Sequence, residues 1–291
     1  MNQSTKLHSW NRESLNLSDV YVDIPKETFE ACLLDDEARA LEIVRPWCSG
    51  LVENHVKSGI GFLILDGDSY PDIDNEQRRL LTERFAKSIG EPFTHRSAHL
   101  NQGLLCDVKD KGYRFTSYKD QNFHNSNQEA VEHTESTELA EPIGMFMLSV
   151  INPAFRGGAS RLVSISALVS ELEERFGASH ISELKQSFVF DTGRGEQTTA
   201  PILSLDENGQ VHFRWMMAFL MNGKEATAHW NDNTERVLKD VVGVMEELRV
   251  TFSMKRGDIG IFNNRAVLHG RDGFEGSPDH PPRWLIRSWF R

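Results

Sequence analysis

The chain has 291 residues, of which 39% are hydrophobic and 26% are charged, a composition typical of a soluble globular protein. Its 43 acidic and 32 basic residues give a formal net charge of −11, which argues against nucleic acid or an anionic membrane surface as a partner. The three cysteines are too few and too scattered for a disulfide framework, and the polar N-terminus has no apolar signal core, so a cytoplasmic protein is expected.

The first hundred residues carry both helical and strand patterns. Residues 1–27 are polar and are expected to form an arm outside a single domain of residues 28–291, because no linker or repeat divides the rest. Residues 35–59 have helical periodicity, and Pro46 is expected to break or kink that helix. The run "IGFLILDG" is typical of a short strand, and residues 74–90 carry the start and stop signals of a helix.

From about residue 103 the pattern is mainly β. Short apolar or alternating runs recur between turn residues, and Asn208-Gly209 between two of them predicts a hairpin. Two helical patterns interrupt these runs, at residues 164–177 and 231–249. This mixture predicts an α+β fold with a β-sandwich or barrel core and helices packed outside. A parallel Rossmann sheet is disfavoured because no strand leads into a GxGxxG helix.

The tripeptide His133-Thr134-Glu135 is one candidate for a metal site. A His-x-acid match is weak alone, because eleven histidines and this acid content give about 1.6 matches by chance. In an extended segment, however, residues two apart project to one face, so an imidazole and a carboxylate could bind one ion. A distant histidine would then complete the 2-His-1-carboxylate set that suits Fe(II).

His269 is the best candidate for that third ligand. It lies in "KRGDIGIFNNRAVLHGRDGF", where an apolar strand turns at two asparagines and a second strand follows. His124 and His280 lie in turn-rich or polar stretches and fit a ligand role less well. The sequence has no HExxH motif, so a zinc protease loses its main support.

Four motifs in this order resemble the Fe(II)/2-oxoglutarate-dependent dioxygenases of the taurine dioxygenase type. They are "HTE", "GGAS" at residues 157–160, "GDIGIFNNRAVLHGR" and "RWLIR" at residues 283–287. The glutamate of "HTE" and the closing Arg-Trp-Leu-x-Arg pattern are most similar to the clavaminate synthase-like subgroup. The resemblance covers about residues 59–291 and implies a double-stranded β-helix (jelly-roll) core.

The resemblance also implies the residues that bind iron and cosubstrate. His133, Glu135 and His269 would be the iron ligands and the catalytic centre. Arg283 would bind the distal carboxylate of 2-oxoglutarate, for which a guanidinium is well suited. Ser160 of "GGAS" would donate a hydroxyl to the same cosubstrate.

The implied substrate is a small zwitterionic or carboxylate-bearing molecule. Arg287 follows Arg283 by four residues in an expected strand, hence on the same face and roughly 13 Å along it. It would bind the substrate carboxylate, or else form a salt bridge at the barrel rim. Gln102 is a further candidate contact, with a simple turn residue as the alternative. The local excess of Lys and Arg over acids in residues 255–291 would suit anionic ligands, or be solvated surface.

The expected activity is oxidation of an unactivated C–H bond in a free amino acid or an amino-acid-derived molecule. Fe(II), 2-oxoglutarate and O2 would be required, with succinate and CO2 as coproducts. Hydroxylation is the expected outcome, while desaturation and cyclisation stay open. A non-catalytic jelly-roll binding protein and a zinc hydrolase with the same three ligands are the alternatives from other classes.

Overall fold

The computed structural model describes residues 9–94, 103–117, 123–206 and 209–291. Helices and strands are both present in these ranges. The helices are α1 Lys26–Cys32, α2 Glu37–Leu51, α3 Asn75–Ile89, α4 Ile165–Phe176, α5 Ala178–Leu184, α6 Met217–Asn222 and α7 Asp232–Leu248. The strands are β1 Tyr21–Val22, β2 Phe62–Leu65, β3 Pro92–Phe93, β4 Cys106–Lys109, β5 Ala130–His133, β6 Met145–Asn152, β7 Arg156–Gly157, β8 Ser160–Ser164, β9 Ser187–Asp191, β10 Gln197–Pro201, β11 Leu203–Leu205, β12 Val211–Phe213, β13 Val250–Phe252, β14 Ile259–Asn263, β15 Val267–Arg271, β16 Phe274–Glu275 and β17 Trp284–Phe290. Within these ranges no helix has both the length and the apolar character that a membrane span needs.

Two sheets form the core of the fold. The larger sheet has the order β1-β2-β14-β6-β17-β3, with β4 also paired to β17, and the smaller has the order β13-β8-β15-β5. All these pairs are antiparallel except β1 with β2. Apolar side chains from both sheets meet in one cluster between them. The predicted jelly-roll core with helices outside is confirmed.

Strand β17 shows how the sequence pattern divides the two faces of the larger sheet. Leu285 and Trp289 join the cluster between the sheets, whereas Ile286 and Phe290 join the cluster under α1, α2 and α3. This division follows from the two-residue period of side chains along a strand. A second group of helices, α4, α5 and α7, packs with β9–β12 against the outside of the smaller sheet. The aromatic side chains stacked between the sheets are Phe62, Phe146 and Phe262.

The described part of the predicted N-terminal arm is packed against the domain. Trp10 and Val20 are buried in the core between the sheets. The indole of Trp10 donates to the carbonyl of Ile60 at 2.8 Å. The predicted boundary between residues 27 and 28 falls inside α1, and Trp10, Val20 and Ile24 on its N-terminal side are buried in the core, while the division into an arm and a domain stays a prediction.

Pro46 does not end its helix. Helix α2 continues to Leu51 and is followed by wider turns over Val52–Lys57. A proline removes the hydrogen bond to the carbonyl four residues earlier, here that of Glu42. Both residues are exposed, so water can satisfy that carbonyl. The helix therefore continues through the proline, whereas the sequence pattern predicted a break or a kink there.

The hairpin signal after residue 203 is confirmed. Strands β11 and β12 pair antiparallel, with Leu203 opposite Phe213 and Leu205 opposite Val211. Residues 207–208 of the turn lie outside the described residues, and Gly209 has a φ of 75°. That backbone conformation favours glycine, as the turn signal requires.

Candidate metal centre

Two histidines lie side by side on neighbouring strands of the smaller sheet. His133 ends β5 and is the direct antiparallel partner of His269 in β15. Opposed residues project to one face, and the two ring centroids are 4.2 Å apart. Glu135 follows two residues later, and one ligand atom from each of the three lies within 4.8 Å of the others. The three predicted ligands are thus together, the only such group in the part of the chain that the structure describes.

The ring nitrogens of the histidines have distinct surroundings. Nδ1 of His133 lies 2.8 Å from the carbonyl of Val131, which can only accept, so Nδ1 carries the proton and Nε2 has the lone pair. Nε2 of His269 lies 3.3 Å from Oε1 of Glu135. The ring of Phe146 packs against that of His269 at 4.3 Å between centroids. The hydrogen bond from Nδ1 of His133 to the carbonyl of Val131 is a usual way to orient a metal-binding imidazole.

Strand β17 supplies two donors to the carboxylate of Glu135. Nη1 of Arg287 donates to Oε1 at 3.1 Å, and the indole nitrogen of Trp289 donates to Oε2 at 3.2 Å. The guanidinium of Arg287 also lies over the ring of Trp289, 4.1 Å from its centroid. Both oxygens of the carboxylate are therefore held in a fixed direction.

The charge states of these groups suit metal binding. Burial, and next the nearby His269, lower the pKa of His133 to about 3. Burial acts to raise the pKa of Glu135, but Arg287 and the two imidazoles outweigh it and hold that pKa below its usual range. At neutral pH the glutamate is therefore an anion and His133 is neutral, the forms in which each can bind a cation.

The loop that carries Glu135 is fixed from behind by backbone hydrogen bonds. The amide of Thr134 donates to the carbonyl of Trp215 at 2.8 Å, and the amide of Trp215 donates back to Oγ1 of Thr134 at 3.0 Å. Ser136 has a φ of 57°, the one positive value among the described non-glycine residues. Such strained residues persist only where the surroundings hold them, and they are common at functional sites.

Asn264 completes this support from the turn after β14. Its side chain is 3% exposed. It accepts from the amide of Glu135 at 2.8 Å, and donates to the carbonyls of Glu135 and Ile143 at 3.1 and 2.9 Å. The side chain of Asn264 thus makes the two hydrogen bonds to the backbone of Glu135 that a neighbouring strand would otherwise make.

Asn264→Ala is expected to lower the free energy of unfolding by about 1–3 kcal/mol, because it leaves buried backbone groups without partners. Urea denaturation would measure the loss, with the exposed Asn54→Ala as the control. Equal stability of the two variants, within about 0.5 kcal/mol, would contradict a supporting role for Asn264.

Arg283 lies immediately before β17. Its guanidinium is over the ring of Phe274 at 4.9 Å, and Arg271 lies over the same ring at 4.8 Å. Burial, and then the like charge of Arg271, lower the pKa of Arg283 to about 9, so it stays cationic at neutral pH. Arg283 has no ion-pair partner among the described residues, whereas the guanidinium of Arg271 is bonded to backbone carbonyls. An unpaired, partly buried guanidinium is available to bind an anion.

Ser160 lies in the same part of the barrel. It begins β8 and is the register partner of Arg271 in β15. The preceding "GGA" turn brings Gly158 close to Arg283, because a Cβ at Gly158 would lie 3.6 Å from Nε of that arginine. Glycine at this position therefore leaves room beside the guanidinium.

The other two predicted site residues have different outcomes. Arg287 projects from the same face of β17 as Leu285 and Trp289 and lies at the metal ligands, bonded to Glu135. Its Nε is buried without a hydrogen-bond partner in the described ranges. Gln102 lies outside the described residues. The roles of both residues stay predictions.

Sequence reasoning missed two residues of this centre and set a third aside. Trp289 could have been found, because it lies two residues beyond Arg287 and so on the same face of a strand. Asn264 gave only a turn signal. His124 was considered as a metal ligand and set aside because of its turn-rich surroundings, yet its Nε2 is buried without a partner among the described residues. Burial, and next the positive charge of Arg287, lower the pKa of His124 to about 3.

A jelly roll with two histidines and one carboxylate on one face is the arrangement of mononuclear non-heme iron proteins. The family model described as "Taurine catabolism dioxygenase TauD, TfdA family" matches residues 49–289. The chain belongs to this family. The predicted taurine dioxygenase-type membership is confirmed, and the narrower clavaminate synthase-like subgroup stays a prediction.

Known relatives and structures are similar to this chain at low identity. Gamma-butyrobetaine dioxygenase of Homo sapiens is 28% identical over 162 residues, which are 50% of this chain and 40% of that protein. The chain therefore spans less than half the length of this relative. Asparagine oxygenase with Fe(II), 2S,3S-3-hydroxyasparagine and succinate has a TM-score of 0.66 and 16% identity over 93% of both chains. Non-heme iron oxygenase OrfP with Fe, succinate and (3R,4R)-dihydroxy-L-Arg has a TM-score of 0.67 and 14% identity over 93% of this chain and 94% of that one. At these identities the two structures show a shared fold.

Proposed function

We propose that the protein is an Fe(II)/2-oxoglutarate-dependent oxygenase that hydroxylates an unactivated C–H bond of a free amino acid or an amino-acid-derived molecule. The grouping of His133, Glu135 and His269 within 4.8 Å, in a chain of this family, carries the proposal. O2 and 2-oxoglutarate would be consumed, with succinate and CO2 as coproducts.

The donor set fits Fe(II). Two imidazole nitrogens and one carboxylate oxygen on one side of the ion leave the opposite positions open for cosubstrate and O2. When bound, the iron supplies the oxidising chemistry, and the protein supplies binding, orientation and exclusion of water. Val131 orients His133, while Arg287 and Trp289 orient Glu135. These contacts would keep the ligands in place as the cosubstrate enters.

Arg283 is proposed to bind the distal carboxylate of 2-oxoglutarate, with Ser160 as a second donor. The absence of an ion-pair partner for Arg283 in the described residues supports this role. Arg271 adds positive charge nearby, while its Nε and Nη2 donors are used by backbone carbonyls. The guanidinium groups of Arg271 and Arg283 both pack against the ring of Phe274.

Arg287 is proposed to bind the carboxylate of the substrate. Its contact with Glu135 uses Nη1, and its buried Nε still lacks a partner among the described side chains and backbone. A guanidinium has five N–H donors, so one arginine can hold the metal ligand and a substrate carboxylate together. Such an arrangement would place the substrate next to the iron. The bound hydroxyasparagine and dihydroxyarginine of the two similar structures support an amino-acid substrate.

A screen of amino acids and their conjugates for substrate-stimulated succinate release tests the proposal. The purified protein would be supplied with Fe(II), 2-oxoglutarate and O2, and mass spectrometry of the product would distinguish a gain of one oxygen from a loss of two hydrogens. The weak visible absorption expected on anaerobic addition of Fe(II) and 2-oxoglutarate separates the oxygenase from a zinc hydrolase. A protein that binds amino acids but forms no succinate with any of them would be the non-catalytic alternative.

Trp289→Phe is expected to weaken Fe(II) binding about tenfold, at the lower end of the range for partners of metal ligands. The phenyl ring keeps the apolar packing but lacks the N–H that holds Oε2 of Glu135. Anaerobic competition with a chromophoric chelator would measure the affinity. Trp284→Phe is the matched control, because its indole donates to Asp107 from the other face of the same strand. Equal affinities for the two variants would exclude a positioning role for Trp289.

A further inference from the structure

A second cavity lies behind the loop that carries Glu135. Its volume is about 560 Å³, within the range of small-molecule sites. Its walls come from the loop after Glu135, strands β10–β12, the turn after β14 and the end of the chain. None of the three metal-ligand candidates lines it, nor do Arg283 and Arg287. The cavity is therefore separate from the proposed oxygenase site.

Positive side chains predominate in the lining of this cavity. Arg214, Arg265 and Arg291 face it together with the single acidic side chain of Glu141. Arg214 is bonded to backbone carbonyls of the loop after Glu135. Arg265 and Arg291 have no ion-pair partner in the parts of the chain that the structure describes. The side chains of the lining therefore carry a net positive charge.

His212 adds an unused polar group to the same lining. Its Nε2 is buried and makes no hydrogen bond with the described residues. Burial, and next the charge of Arg265, lower the pKa of His212, so the ring is neutral at neutral pH. The nearest carboxylate is that of Asp206, at 3.6 Å, which is too long for a direct hydrogen bond. A buried polar atom of this kind is normally satisfied, in many proteins by a ligand or a water.

The lining also has a large apolar part. Phe93, Ile143, Pro201 and Phe213 form much of it. An inorganic anion has no apolar surface to bury against these side chains. The hydrocarbon part of an organic anion would bury apolar surface there, and this burial would stabilise its binding. The cavity thus combines cationic groups for an acid with apolar walls for a carbon skeleton.

We propose that this cavity binds a small organic anion, a carboxylate on an apolar body, independently of the metal centre. Arg265 and Arg291 would bind the carboxylate, and the neutral imidazole of His212 would hydrogen-bond to the ligand. The inner wall includes Thr134 and Asn264, which hold the backbone of Glu135 in place. Occupancy would therefore influence, and be influenced by, metal binding at Glu135, as linkage requires.

Calorimetric titration of the full chain with benzoate, without added metal or 2-oxoglutarate, tests the proposal. The wild type should bind benzoate, and the neutral analogue benzamide should bind more weakly. The variant with both Arg265→Ala and Arg291→Ala should lose at least about tenfold in affinity, as expected for charge-assisted hydrogen bonds. Arg283→Ala should keep wild-type affinity for benzoate, because that residue lies at the other site.

Each alternative outcome overturns the proposal. No benzoate binding to the wild type at millimolar concentration would show that the cavity is not an anion site. Affinity lost in Arg283→Ala but kept in the double variant would place benzoate in the oxygenase site. Thermal melts would confirm that the variants are folded, as expected for an exposed Arg265 and a terminal Arg291. Since the readout needs neither iron nor turnover, the result is independent of the proposed oxygenase activity.

Discussion

Glu135→Ala is expected to abolish substrate-stimulated succinate release, and His269→Ala is expected to do the same. Partners of metal ligands are worth about 10–100-fold, so removal of a ligand itself should cost more than about 100-fold. In Glu135→Ala the loss has a second cause, because Arg287 and Trp289 would be left with unused donors in a buried site. Succinate assays and the anaerobic absorption with Fe(II) and 2-oxoglutarate would both be measured.

Two controls make this result specific to the metal centre. His280→Ala removes a histidine whose ring lies near the exposed Phe155 and the carbonyl of Pro281, and Glu246→Gln removes an exposed charge on α7. Both should keep wild-type activity. If Glu135→Ala or His269→Ala retained activity comparable to these controls, the assignment of the ligands would be wrong.

Arg283→Ala is expected to raise the concentration of 2-oxoglutarate needed for half-saturation by roughly 10–100-fold, because a charge-assisted hydrogen bond contributes about 1.5–3 kcal/mol. The requirement for the substrate should change far less. Arg283→Lys should restore part of the affinity, since it keeps the charge but loses the planar pair of donors. Titration of the anaerobic Fe(II) protein with 2-oxoglutarate, followed by visible absorption, would give the affinity without any substrate.

Arg156→Ala is the matched control for Arg283. Arg156 lies in the nearby strand β7, where it forms an exposed ion pair with Glu275 and lies over the exposed ring of Phe155. Its loss should leave the 2-oxoglutarate requirement unchanged. If Arg283→Ala raised the substrate requirement instead, Arg283 would belong to the substrate site and a different group would bind the cosubstrate.

Local sequence patterns were enough to predict the class of fold and to select three candidate ligands that lie together in it. His133 and Glu135 lie two residues apart in an extended segment, and that spacing alone puts their side chains on one side. His269 could be selected because a strand, a turn and a second strand surround it. The jelly roll followed from the resemblance, while the alternating apolar runs independently predicted a β core with outer helices.

The remaining features depend on contacts between segments that are distant in sequence. The partnership of Trp289 with Glu135 requires β17 to lie beside the end of β5, which no local pattern encodes. Asn264 looks like any turn residue until the loop after His133 is placed against it. The cavity behind Glu135 is formed by several separate segments, so its charge could not be assigned from the sequence. The alternative of a break at Pro46 was wrong because the pattern does not say whether water reaches the freed carbonyl, and the alternative of a kink stays a prediction.

The register partnership of His133 and His269 has a consequence for local stability. Strand β5 is at the edge of the smaller sheet and pairs with β15 at only two positions, His133 with His269 and Ala130 with Arg271. An ion bound by both imidazoles would clamp this short edge strand to its neighbour. An ion that binds only while β5 is paired with β15 stabilises the paired state. The amide protons of β5 should therefore exchange with deuterium more slowly in the metal-loaded protein. Exchange of α3, which packs on the outside of the larger sheet, should be unaffected.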